Sequence, residues 1–558
     1  MNTHATTPAD GNGRRRDKAV SQARRPPPAS RGSIAVWERS ALVLLLLGTW
    51  LLRWIALMEV PPGWRDDDLI ELYTFSLRVA QEGPTLYFDA ASGHAPLYHT
   101  LRAPVVAWAG VNQASARWMA AMACLLAVVL TWAVGRRLLG RAASLLGAAL
   151  MSISFRSLMY SRVAIRHIGT LPWILLAVYW GWRQLHDPAP TRRDAAALRP
   201  GGPVLGGPVL GMALGVSGAM LTYYAGRLMP AFLVTAYVLA RPRRRRWQGY
   251  AAGLLLGLLL TVPTFWAAAQ TTGADARVSE LAGPIHALLD GDPKLLISNS
   301  WITLGMFHAK GDPEWLYNLA ERPVFGPLGA ALFYAGLVGA LVRRRDPGAR
   351  WLLLWLAVGI SPALISFPPS SYGHTIMALP AVYLLLAGLA ATIGRRWQYA
   401  GIGAAVLIAA TVGLRDLPDY FKDWPAHSMV QFLYRADYRK LAGHLDAHPE
   451  IKDLTVGSVL SGSWDKVALR TDLQRDDVGV RWVNPARTMV FTNGSATRLY
   501  LQDEGEQHPE IRGWLDDAQE IEAPEGMQAY LLRPPLEPDA ESAATRSDDW
   551  VTIRYDTD

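Results

Sequence analysis

The segment "PPGWRDDDLIELY" sets three consecutive carboxylates, Asp66, Asp67 and Asp68, behind a Pro-Gly turn, with Glu71 three residues beyond Asp68. If a helix starts here, Asp68 and Glu71 share a face. Acidic residues at a helix start satisfy free N–H groups and oppose the positive dipole end, which accounts well for one aspartate and poorly for three. Clustered carboxylates raise one another's pKa, and a carboxylate at a membrane surface can act as general base toward a hydroxyl. The same groups can hold a divalent cation, so Asp67 and Asp68 are candidate metal ligands as well.

Arginines form the second set. Arg162 and Arg166, followed by His167, occur in "MYSRVAIRHIG"; Arg227 follows "TYYAG", and Arg117 lies in "ASARWM". A single arginine near a membrane surface is explained by snorkelling. Several converging at the ends of different helices suit an anionic headgroup, because guanidinium pairs bidentately with phosphate. His94 and Tyr98 in "SGHAPLYH" are expected one turn apart on an interfacial helix, as a polar wall, although a lone histidine is more often structural. In "FHAKGDPEWLYNLAERPVFGP", Asp312, Trp315 and Asn318 offer an aromatic face and polar tips of the kind that hold a sugar. Gly-Asp-Pro is also a strong former of a plain turn.

What positions these groups is a set of long apolar runs. The chain of 558 residues is 51% hydrophobic and 18% charged, an average of two regimes. Runs such as 41–52, 254–265 and 378–391 are apolar on every face, so lipid is their natural solvent. The net charge of +8 does not indicate nucleic acid, because the basic residues sit in short clusters between apolar runs. Arg14–Arg16 with Arg24–Arg25, Arg136–Arg137 with Arg141, Arg192–Arg193, Arg243–Arg246, Arg343–Arg345 and Arg395–Arg396 follow the positive-inside pattern. The one cysteine, Cys124, lies inside an apolar run and excludes a disulfide framework.

Spans are expected near 36–58, 113–134, 141–158, 169–185, 205–222, 228–240, 249–268, 324–342, 350–366, 373–393 and 399–414. Roughly eleven crossings from a cytoplasmic N-terminus put every one of those arginine clusters on the cytoplasmic side. They put loops 59–112 and 269–323 and the tail 415–558 outside. The stretch 95–110 is apolar but contains His99, Arg102 and two prolines, and a crossing there would reverse the parity; it is expected as one or two interfacial helices. The fold class is thus an all-α polytopic membrane domain over 36–414. A disordered basic arm (1–35) precedes it, and a small α/β extracytoplasmic domain (415–558) follows.

The ordered set of "RDDD", "HAPLY", "GRRLLGR", "YSRVAIR", "TYYAGR" and "GDPEWLYN…GPLGAALFYAGL" resembles the GT-C glycosyltransferases. Within them it is similar to the bacterial relatives of dolichyl-phosphate-mannose protein mannosyltransferases and to the lipid A aminoarabinose transferases. The resemblance covers roughly residues 36–414 and rests on motif order. It implies inverting transfer of a sugar from a polyprenyl-phosphate-linked donor on the extracytoplasmic face of a bacterial inner membrane, with an acidic residue of the first loop as base. The family's Asp-Glu pair falls on Asp67 and Asp68 here, Asp67 as base and Asp68 orienting it or assisting a metal. Arg162, Arg166 and Arg227 are the implied contacts of the donor phosphate. The chain departs from the pattern in having Asp-Asp within a triplet, and "SSYGHTIMALP" where relatives often carry an arginine before "ALP", so that His374 replaces that cation or the contact is missing.

The competing reading is a transporter or flippase of lipid-linked or small polar solutes, in which the same charged groups line a path. Against it, the ionisable residues gather at helix ends and loops, and no inverted repeat is visible. A third reading is an inactive relative that only binds a lipid-linked sugar, which the intact acidic triplet disfavours.

Overall fold

The computed structural model describes residues 34–91, 93–187, 206–240, 247–273, 282–458, 463–492, 496–503, 507–533 and 552–556. The expected basic arm up to residue 33, the clusters Arg192–Arg193 and Arg243–Arg246, and most of the last twenty residues lie outside the described residues.

A helix stands in each of the apolar runs, starting with Val36–Trp54 and ending with Gln398–Pro418. Among the described residues, five helices are long and apolar enough to cross a membrane, or six if the bent pair Arg141–Ile153 and Phe155–Ser161 is one span. Gly207–Met220, Tyr224–Ala240 and Pro327–Val342 are shorter and apolar. The pair bends by 60° at Ser154, whose backbone is extended. Breaking a helix here frees the Phe155 N–H, which donates to the buried Asp416 carboxylate over 2.9 Å. Arg322 neutralises Asp416 at 2.5 Å and reaches Asp419 at 2.6 Å. Irregular backbone inside an apolar bundle survives only with such partners. The same network carries the last apolar helix past the expected boundary at 414, through Pro418 and into Asp419–Asp423. The stretch expected at the interface forms one helix, Leu97–Ala109, with Pro104 inside it.

The tail forms a five-stranded sheet in the order β2-β1-β4-β6-β5, with β1 Asp453–Gly457, β2 Gly479–Val483, β4 Thr497–Gln502, β5 Gln519–Ile521 and β6 Met527–Leu532. Central β1 pairs in parallel with both neighbours and is buried on both faces, as parallel strands require. Helices Ala436–Ala447 and Ser463–Asp472 pack Leu441, Leu445 and Leu469, with Leu473 just beyond the second helix, against Leu454 and Val456. Strands β3 Thr488–Thr492 and β7 Thr552–Asp556 form a separate parallel pair.

This domain grips the first loop and the start of the helix that follows it. Trp64 Nε1 donates to Asp472 (2.9 Å), the Tyr73 and Thr471 hydroxyls meet at 2.7 Å, and Arg439 donates to Gln113 (3.0 Å). Trp64, Leu69, Leu72, Val106, Ala164 and Ala468 share one apolar cluster, so the acidic segment is clamped between helix ends and tail. The Pro-Gly turn needs its glycine: a Cβ at Gly63 would collide with the backbone carbonyl of Tyr434.

Candidate active site

Two arginines fix the path of the chain into the acidic triplet. The carbonyls at the end of a helix have no partner within it. Arg162 donates to Leu52 O (2.9 Å), Ala56 O (2.8 Å) and Val60 O (2.9 Å), and Arg117 to Leu57 O (2.6 Å) and Gly63 O (2.6 Å). Both are fully buried. This corrects the expectation for Arg162: its guanidinium is filled by backbone carbonyls at the C-terminal end of the first apolar helix, where a cation also opposes the negative dipole end. Its place is structural, and no fork is left for a phosphate.

The helical stretch that follows begins at Asp66, and no side chain caps it. The three aspartates diverge. Asp66 pairs with Arg435, which also holds Asp465 at 2.6 Å. Asp68 is wholly buried, accepting from Arg65 Nε at 3.0 Å and from the Ala164 N–H at 3.1 Å. Asp67 is exposed and accepts one bond, from the Tyr317 hydroxyl at 2.9 Å. Asp66 is exposed as well, but its carboxylate is held by a cation; Asp67, whose one partner among the described residues is a neutral hydroxyl, is the better suited of the two to take a proton from a bound hydroxyl.

Arg65 carries the positive charge that acts on Asp67, and Arg166 and Arg227 lie near each other. Arg65 is buried and lies 4.8 Å from the Tyr317 ring centroid, with Nη1 and Nη2 lacking hydrogen-bond partners among the described residues. Arg166 pairs with Glu71 at 2.5 Å. Glu71 is buried, and burial pushes its carboxyl up to about 7 against the opposing pull of Arg166 and Arg102. Arg102 braces this stretch, donating to Ser76 Oγ (2.7 Å), Ala164 O (2.5 Å) and Glu71 O. Arg227 stacks on Tyr224 at 4.3 Å and Phe265 at 5.1 Å, and its Nε has no hydrogen-bond partner among the described residues. His167 stands between these groups: its ring is 4.1 Å from Tyr223, 5.3 Å from Tyr160 and 6.5 Å from Tyr317. Burial, with Arg166, Arg65 and His374 nearby, holds it well below the usual imidazole range. His374 therefore faces the same region, with its Nδ1 2.9 Å from Ser366 Oγ.

In the loop around residues 310–322, Asp312 is buried and accepts the N–H groups of Tyr372 (2.7 Å) and Glu314 (3.0 Å); burial pushes its carboxyl up to about 6. Asn318 is buried and donates to Asp312 O and Arg322 O. Trp315 stacks on His427 at 3.8 Å. Asp312 and Asn318 bond within the loop as a turn does, while Trp315 is half-buried and covered on one face. The loop's product is Tyr317, delivered to Asp67.

His94 and Tyr98 do not share a helix as expected. His94 precedes helix Leu97–Ala109 and is held by an antiparallel bridge with Phe88, its ring 4.5 Å from Phe75. Tyr98 is buried beneath Arg102, which lies 5.3 Å from its ring, against Gly169. Asp67 and Asp68 remain candidate ligands of a divalent cation; among the described residues, the one group of three or more converging metal-ligand side chains is His444, His448 and Glu522. Sequence reasoning missed Arg65, whose position three before Asp68 was the available signal, and Tyr317, which only the folded loop brings to the triplet.

No protein-family model matches the sequence, and no curated protein matches it by sequence. Solved structures match the fold. ArnT from Cupriavidus metallidurans, solved with undecaprenyl phosphate, aligns at 13% identity over 88% of this chain and 97% of its own, with a TM-score of 0.50. The archaeal oligosaccharyltransferase AglB from Archaeoglobus fulgidus, solved with an inhibitory peptide and a dolichol-phosphate, aligns at 13% identity over 80% of this chain, with a TM-score of 0.50. The chain spans 64% of the length of AglB.

Proposed function

We propose, for a multi-pass membrane protein with the fold of the GT-C glycosyltransferases, transfer of a sugar from a polyprenyl-phosphate-linked donor to an acceptor hydroxyl on the extracytoplasmic face of a bacterial inner membrane. The observation that carries it is the division of labour in the acidic triplet: Asp66 and Asp68 are tied into ion pairs, while Asp67 is exposed and oriented by Tyr317. Asp67 takes the acceptor proton as the acceptor oxygen attacks the anomeric carbon, and the bond from that carbon to the phosphate oxygen breaks. Attack from the face opposite the leaving group inverts the anomeric centre. The charge that grows on the departing phosphate is met by Arg166, Arg227 and the Nη groups of Arg65, which lack hydrogen-bond partners among the described residues. Asp68 holds Arg65 in place.

The topology proposed with it is about eleven crossings from a cytoplasmic N-terminus, which sets the triplet, Arg166, Arg227 and the Tyr317 loop on one side. The test is reconstitution of the purified chain in liposomes with a panel of polyprenyl-phosphate sugars and a cell-envelope lipid and glycan extract. Release of polyprenyl phosphate with a covalent sugar product, read by mass spectrometry, is expected. Passage of a solute across the liposome without a covalent product would establish the transporter reading instead.

A further inference from the structure

The C-terminal domain carries a second cluster of chemistry-bearing side chains, on elements that contribute nothing to the acidic triplet. Helix Ala436–Ala447, whose C-cap is His448, sets His444 and His448 four residues apart, which places them on one face one turn from each other. Their ring centroids are 4.2 Å apart. Glu522 follows β5 directly, and one ligand atom from each of the three side chains lies within 4.8 Å of the others.

We propose that His444, His448 and Glu522 bind a divalent transition-metal ion, with Zn2+ the best-suited, and leave a fourth position to solvent. Two imidazoles and one carboxylate are a donor set for zinc, whereas magnesium and calcium favour all-oxygen sites. Metal bonds of about 2.0–2.2 Å separate tetrahedral ligand atoms by roughly 3.3 Å, within reach of the present arrangement because Glu522 is exposed and half-buried His444 and His448 line one edge of the domain. One of the second ring nitrogens is already served. His448 Nδ1 lies 2.8 Å from the His444 carbonyl, which fixes the N–H there and leaves Nε2 for the ion. Tyr500 offers its hydroxyl 3.4 Å from His444 Nε2.

The ion ties the C-terminal end of this helix to the edge of the sheet. At the other end stands Arg435, which joins Asp66 to Asp465. Metal therefore braces the helix by which the domain holds the first loop.

The experiment uses the untagged full-length chain in detergent, stripped with a chelator and titrated calorimetrically with Zn2+. One ion per chain is expected, uncompeted by excess Mg2+, together with a rise in Tm. His444→Ala and His448→Ala should each weaken binding at least about 100-fold, and Glu522→Gln about 10-fold. His448→Gln, checked for unchanged circular dichroism and elution volume, guards against loss through misfolding. Asp67→Asn should bind Zn2+ as the wild type does. Absence of saturable binding, or binding retained by the His444→Ala/His448→Ala chain and lost in Asp67→Asn, overturns the proposal.

Discussion

Two loops of this molecule present acidic residues beside aromatic ones, and they use them in opposite ways. In the segment 65–71, Asp67 is exposed with one hydrogen bond, and Arg65 keeps two buried nitrogens without hydrogen-bond partners, among the described residues. In the loop 310–322, Asp312 and Asn318 are as deeply buried as Asp68, and both bond to the backbone that surrounds them. The difference teaches that polar residues in a loop are a poor guide to chemistry until their partners are counted: Asp312 has both oxygens engaged by backbone N–H groups, whereas among the described residues Asn318 keeps one buried oxygen, and Arg65 two nitrogens, without a hydrogen-bond partner. The second loop serves the first by presenting Tyr317.

The comparison can be broken at each end. Asp68→Ala leaves the Arg65 guanidinium buried without its counter-charge and should cost about 3–5 kcal/mol, seen as poor expression and a lowered Tm. Asp312→Ala leaves the Tyr372 and Glu314 N–H groups unsatisfied, with an expected loss of about 2–4 kcal/mol. Here the protein that still folds should keep its activity per molecule, and a specific loss of kcat would move Asp312 into the chemistry. Tyr317→Phe removes one bond to a carboxylate, worth about 10-fold in kcat with Tm unchanged; an equal loss in Tm would make it a brace as well.

Glu71 gives the smallest effect and the clearest sign. Its folded pKa of about 7 lies above the ordinary 4.5. Its contribution to stability is therefore fully present below the ordinary value and is lost as pH rises through about 7. Glu71→Gln should accordingly gain in Tm relative to the wild type on going from about pH 5 to about pH 8. A difference independent of pH would mean that Glu71 keeps one protonation state over that range.

Much of this was legible in the sequence because lipid imposes long apolar runs, and each run holds a helix. The triplet was legible as a local anomaly, and Asp67 and Asp68 do separate into an exposed and a buried acid. The bend at Ser154 was not, since its compensation by Asp416 comes from 261 residues away. Arg162 was misread because its acceptors are main-chain carbonyls, which leave no trace in residue type. The clamp of the tail on the first loop was hidden for a similar reason: Arg435 and Asp472 are unremarkable in their own neighbourhoods and acquire meaning only opposite Asp66 and Trp64.

The most direct test of the account is the rate at which Asp67→Asn releases polyprenyl phosphate from a lipid-linked sugar in the presence of acceptor, with Tm recorded on the same preparation. Loss of the general base should slow release by about 10²–10⁴-fold at an unchanged Tm. Release at the wild-type rate by a folded Asp67→Asn chain would contradict it.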